Sequence, residues 1–146
     1  MDLFVYSRRA LEAVQPHEVP HVIISITSGP EDVARLRRND QCQGVLRLWF
    51  PDADTASEEF PEAILFSPDH AREIWDFVLR HREVDRIVVH CDAGVSRSPA
   101  VAAALARILK DDDAEYFAGR YRPNTRVYRM LLEYAPPHVS ASPVER

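Results

Sequence analysis

The sequence is poor in the residues that several classes of function depend on. It has two cysteines, Cys42 and Cys91, in 146 residues, too few for a disulfide framework and without the Cys/His clustering of a zinc site. Its only lysine is Lys110, and its formal net charge is −5. No basic field is therefore expected to gather nucleic acid or an anionic membrane surface, and any anionic ligand must be held locally. No apolar run approaches the length of a bilayer span. The stretch Met1 to Val14 is interrupted by Asp2, Arg8, Arg9 and Glu12, where a secretory signal needs an unbroken apolar segment, so a cytoplasmic location is expected.

What remains is ordinary globular material, 46% hydrophobic and 28% charged, of a length suited to one core. Leu3 to Tyr6 is a short apolar segment, and Ser7 is placed to cap a helix from Arg8 to Val14 that Pro16 would stop. His21 to Ile26 is rich in β-branched residues and reads as a buried strand. After Gly29-Pro30, Glu31 to Arg37 reads as a short helix. Val45 to Phe50 is a third strand, followed by the polar loop Pro51 to Glu59. Ser67-Pro68 opens a helix over Asp69 to His81, and Arg86 to His90 is an Ile-Val-Val strand of the kind buried on both faces. Arg97 to Lys110 is a helix rich in alanine and leucine, with Pro99 tolerated in its first turn. Two more helices are expected at Asp113 to Gly119 and Thr125 to Tyr134. The alternation predicts an α/β fold with a central, mainly parallel sheet of four to five strands flanked by helices. Residues 1–135 are expected to form one domain. Residues 136–146, with three prolines and two serines, are expected to be an unpacked, disordered tail.

The segment His90-Cys91-Asp92-Ala93-Gly94-Val95-Ser96-Arg97-Ser98 lies where a buried strand hands over to a helix. Successive backbone N–H groups of such a turn can converge on an anion, and the helix N-terminus adds its own unpaired amides. Asp92 to Arg97 would form the cup, with Gly94 permitting the sharp turn and Arg97 offering a bidentate fork to phosphate oxygens. The field that holds a dianion also favours a thiolate at Cys91. Nucleophile and phosphate then coincide, and the equatorial oxygens of a phosphoryl transfer are stabilised without metal or other cofactor. Ser98 is placed to hydrogen-bond the sulfur when it departs as thiolate.

These residues resemble the signature of the cysteine-based protein tyrosine phosphatases, His-Cys, five residues, Arg, then Ser or Thr, and the Ala-Gly-Val-Ser-Arg-Ser run is similar to that of the small dual-specificity group. His21 to Thr27, Leu46 to Asp52, and Arg122-Pro123-Asn124 with Val127 and Leu131 extend the resemblance over most of the chain. It implies a strand–phosphate loop–helix core, a phosphocysteine intermediate, a phosphorylated protein or peptide as substrate, and phosphate or vanadate as ligands of the loop. It also implies a supporting role for His90, a bracing role for Asn124, and an aspartate general acid on a separate loop. Asp52 matches that position, with Asp54 as the alternative.

Other readings stand beside this one. The same loop chemistry serves phosphoinositides and RNA 5′-phosphates, though Asp92 inside the loop opposes a polyanion, and a catalytically weak phosphopeptide-binding module would keep the cup. A lone cysteine is commonly a small buried hydrophobe. On that reading Cys42 is a strand residue; its sharper alternative is a partner that captures oxidised Cys91. Asp111-Asp112-Asp113 reads as a solvated connection with a capping residue, and Arg120, Arg122, Arg126 and Arg129 as exposed helix arginines with substrate contact the lesser alternative.

Overall fold

A computed structural model describes residues 1–139. Strand β1 (Asp2–Ser7) runs directly into helix α1 (Arg8–Ala13), followed by β2 (His21–Thr27), β3 (Cys42–Trp49), α2 (Pro68–Arg80), β4 (Arg86–Cys91), α3 (Arg97–Lys110) and α4 (Thr125–Glu133). The four strands form one sheet in the order β1-β4-β2-β3, and every pairing is parallel. All strand C-termini therefore meet at one end of the sheet, and Cys91 closes the inner strand there, beside Ser7 of β1.

Alternating side chains divide the sheet into two faces. On the larger face Val22, Ile24, Ile26, Ile87 and Val89 pack against Ile74, Trp75, Phe77 and Val78 of α2, Val101, Ala104 and Leu105 of α3, and Val127 and Leu131 of α4. Ile23 and Val88 face the other way and meet Leu11 of α1. The central strands are covered on both sides, which explains their uninterrupted apolar character. α2 is fixed at its start by Ser67, whose hydroxyl accepts from the His70 N–H while the His70 ring accepts from the Ser67 N–H, a reciprocal cap.

Two predicted helices are corrected. Glu31 to Arg37 has no helix. Its backbone groups are claimed by other elements: the Arg35 N–H by Glu12, the Ala34 carbonyl by Arg47, and the Val33 carbonyl by Arg8. Asp113 to Gly119 reduces to one 3-10 turn, Ala114–Tyr116, because Tyr116 is pinned against Ala102, Ala103 and Ala106 of α3 and Gly119 takes φ +86°. The acidic run forms the connection: Asp111 is left-handed at φ 58° and ends α3, Asp112 accepts from the Ala114 N–H, and Asp113 accepts from the Tyr128 hydroxyl.

The chain end also differs from expectation. Pro137–Val139 forms a 3-10 turn, and Val139 is buried in the main core, so packing continues past Pro136. The rest of the expected tail, 140–146, lies outside the described residues. No helix among the described residues is long and apolar enough to cross a membrane.

Candidate active site

The site is built where β4 ends and α3 begins. Cys91 is 2% exposed, its sulfur accepts from the Gly94 N–H at 3.3 Å and the Ser98 N–H at 3.4 Å, and it shares a hydrogen bond with the Ser98 hydroxyl at 3.1 Å. The N-terminus of α3 begins six residues on, at Arg97. Among the described residues, the N–H groups of Ala93, Val95, Ser96 and Arg97 have no acceptor within the protein, which leaves them for the oxygens of an anion.

Neighbouring segments hold the loop in shape. Gly94 has φ +70°, and a side chain there would put Cβ 2.6 Å from the Ser7 nitrogen; only glycine allows this turn to lie against the β1–α1 junction. The Arg8 N–H donates to the Asp92 carbonyl at 3.1 Å, the Arg122 N–H to that of Val95 at 2.7 Å, and the Asn124 N–H to that of Ser96 at 3.0 Å. Asn124 thus braces the loop through its backbone. Its side chain donates to Asp52 at 2.9 Å and caps α4 by accepting from the Val127 N–H at 3.0 Å.

Arg97 is a buried cation, 6% exposed. Its NH1 donates to the Phe50 carbonyl and the Ser28 hydroxyl, both at 2.9 Å, and its NH2 to Asp92 Oδ2 at 3.2 Å. Of five guanidinium N–H donors, the Nε–H and one on NH2 remain without a partner among the described residues, side by side on one edge. That edge can bind two oxygens of one phosphate.

The two candidate acids separate clearly. Asp52 Oδ1 accepts from the Ser96 hydroxyl at 2.8 Å and from Asn124, so this carboxyl lies against the cysteine loop. Asp54 Oδ1 accepts from the Arg126 N–H at 3.4 Å and belongs to α4's first turn. Both line an open cleft of about 710 Å³ with Ser96, Phe117, Tyr121 and Arg122. Of the other arginines, Arg126 is engaged by Glu62 and the Phe66 carbonyl.

His90 is fully buried. Its Nδ1 faces the Cys91 carbonyl at 3.3 Å, which can only accept, so Nδ1 carries the proton and Nε2 accepts from the Ser25 hydroxyl at 2.6 Å. Burial pushes its pKa below the ordinary imidazole value, so the ring is held neutral. Cys42 is not a partner for Cys91. His21 is level with both Cys42 and Arg86, and Cys91 lies five residues beyond Arg86, about 16 Å along the strand, where a disulfide requires Cα atoms within about 7 Å.

Ser25, Ser28 and Arg8 were not singled out from the sequence. Ser25 had a faint signal as the polar member of the His21 to Ile26 run. Ser28 and Arg8 had none, since their contacts with the site are made across the fold.

No family model matches the sequence, and no curated protein does. The structure does have relatives. Human DUSP28 superposes with a TM-score of 0.55 at 20% identity, covering 90% of this chain and 90% of that one. Human tyrosine phosphatase-like serine/threonine/tyrosine-interacting protein gives 0.51 at 23%, covering 90% and 89%. PTPMT1, in a complex with PI(5)P, gives 0.54 at 15%, covering 91% and 89%. The parallel sheet with its flanking helices is the α/β fold of the dual-specificity phosphatase structures.

Proposed function

We propose that the chain is a cysteine-dependent phosphomonoester hydrolase acting on phosphorylated protein or peptide. The observation that carries this reading is the convergence on Cys91 Sγ of the Gly94 and Ser98 donors, inside a loop whose remaining amides are unpaired. A phosphate bound by those amides and the free edge of Arg97 brings its phosphorus above the sulfur. Sγ attacks the phosphorus, the bond to the leaving oxygen breaks, and Asp52 gives that oxygen a proton. Asp52, then a carboxylate, takes a proton from the water that attacks the phosphocysteine. The P–S bond breaks, and the Ser98 hydroxyl stabilises the departing thiolate. Arg97 and the amides stabilise the equatorial oxygens in both steps.

Two comparisons bear on the alternatives. One structural relative is named as phosphatase-like, which keeps a phosphopeptide-binding module as the second reading; Asp52 seated on Ser96 of the loop favours turnover. Another is in complex with a phosphoinositide, but the loop here carries Asp92 and no lysine.

Cys91→Ser is the decisive variant. It should abolish hydrolysis of an aryl phosphate and a phosphotyrosine peptide while the variant still binds inorganic phosphate, because the cup survives but the hydroxyl is not ionised there. Substantial residual turnover would rule out the covalent route. A parent protein that binds phosphate and hydrolyses none of a phosphotyrosine, phosphothreonine, phosphoinositide and nucleotide panel would establish the binding module instead.

A further inference from the structure

The buried charge of Arg97 is balanced from within the loop it serves. Two of its partners, the Phe50 carbonyl and the Ser28 hydroxyl, are neutral. The charged one is Asp92, the residue after the nucleophile. The Ser28 hydroxyl donates to the same Asp92 oxygen at 3.2 Å, closing a triangle of Arg97, Ser28 and Asp92. On its other side Asp92 has Arg8, whose N–H donates to the Asp92 carbonyl and whose NH1 lies 3.9 Å from Oδ1. Asp92 is therefore fixed although its side chain is 45% exposed.

A guanidinium this deeply buried needs a charged partner, and Asp92 supplies it. The same bond turns the free Nε/NH2 edge of Arg97 away from the loop's own acid and leaves it for a ligand. The arrangement has a cost for the ligand. Bound phosphate and Asp92 share one guanidinium, and their repulsion grows with the charge of the ligand. A single phosphate meets Arg97, four unpaired amides and the helix N-terminus in compensation. A second phosphate next to the first adds charge and, with no lysine in the loop, gains no new cation there.

We propose that Asp92 is a specificity-determining residue, the counter-ion that positions Arg97 and restricts the site to isolated phosphomonoesters over ligands with an adjoining second phosphate. This inference rests on the reading of the loop as a phosphate site, and it concerns binding, so it is tested without turnover.

Calorimetric dissociation constants for inorganic phosphate and pyrophosphate are to be measured on the parent chain, Asp92→Asn and Asp92→Glu. Asp92→Asn keeps an oxygen for Arg97 and removes the charge; it should tighten pyrophosphate on the order of tenfold more than phosphate. Asp92→Glu, which keeps the charge, should retain the parent's ratio. In the parent itself, raising the ionic strength should weaken the discrimination, because a half-exposed carboxylate is screened; this reading needs no variant to fold. Equal shifts for the two anions in Asp92→Asn, weaker binding of both, or a ratio indifferent to salt would overturn the proposal. A parent that binds neither anion would overturn it together with the phosphate site. A parent that binds phosphate and shows the expected ratios yet hydrolyses no monoester would sustain Asp92's role and remove the proposed reaction alone.

Discussion

Asp52 and Asp54 are two positions apart on one loop and serve different elements, the first touching Ser96 of the cysteine loop and the second the start of α4. A proton donor matters in proportion to how poorly the leaving group departs without it. Asp52→Asn should therefore cost little with an activated aryl phosphate and on the order of 10²-fold or more in kcat with a phosphotyrosine peptide. Asp54→Asn should show no such dependence on the leaving group. If the pattern is reversed, the donor is Asp54; if neither variant shows it, the acid lies on another segment. The contact of Ser98 with the Cys91 sulfur was legible in the sequence because strand, turn and helix bring nearby residues together. The pairing of Arg97 with Ser28, and of His90 with Ser25, was not, because it depends on how β2 lies beside β4.

The loop after Cys91 is the segment on which the other elements converge. It is wedged between the β1–α1 junction, which Gly94 touches, and the segment before α4, which donates to Val95 and Ser96. Two glycines with positive φ separate strain from contact. At Gly119 an added Cβ meets nothing within 4 Å, so Gly119→Ala should cost only the backbone term, about 1 kcal/mol. At Gly94 the added carbon collides with the backbone of Tyr6 and Ser7. Gly94→Ala should be destabilised by clearly more than Gly119→Ala in urea unfolding and should lose phosphate binding in its folded fraction. Equal losses in the two variants would show that the junction yields, and that the close approach is not a constraint. Elements with strong local patterns, such as α2 with its Ser67-Pro68 start and the alanine-rich α3, were readable in advance. Glu31 to Arg37 was not, since its polar backbone found partners on Glu12, Arg47 and Arg8 that no local pattern reveals.

At the scale of the whole molecule, three histidines make stability depend on pH in the same direction. Burial is the largest cause of a lowered pKa at His17, His70 and His90. The unfolded chain, with imidazoles near pH 6.5, then binds protons that the folded chain does not. Stability is full above that value and falls as pH drops from about 6.5 toward the folded values. At His70 burial outweighs the nearby Glu73 and Asp69 carboxylates, which act in the opposite direction. Urea unfolding of the parent at pH 7.5 and 5.5 should show lower stability at the lower pH. In His90→Gln the slope should be shallower by at most about 1.4 kcal/mol per pH unit. Parallel pH profiles would remove His90 from the account.

The strand order also governs when the cysteine loop can take its shape. β4 is the last strand in sequence but lies between β1 and β2, so its pairings join segments far apart along the chain. Such distant contacts form slowly, because a long loop must close before any of them stabilises the sheet. As the ribosome extends the chain, β1, β2 and β3 emerge with the central slot of their sheet still open. The segment that braces the loop, Arg122 to Asn124, emerges later than Cys91 itself. The donors around the Cys91 sulfur, the Gly94 and Ser98 N–H groups, therefore come together only when the whole sheet has closed, which ties the shape of the loop to the completion of folding.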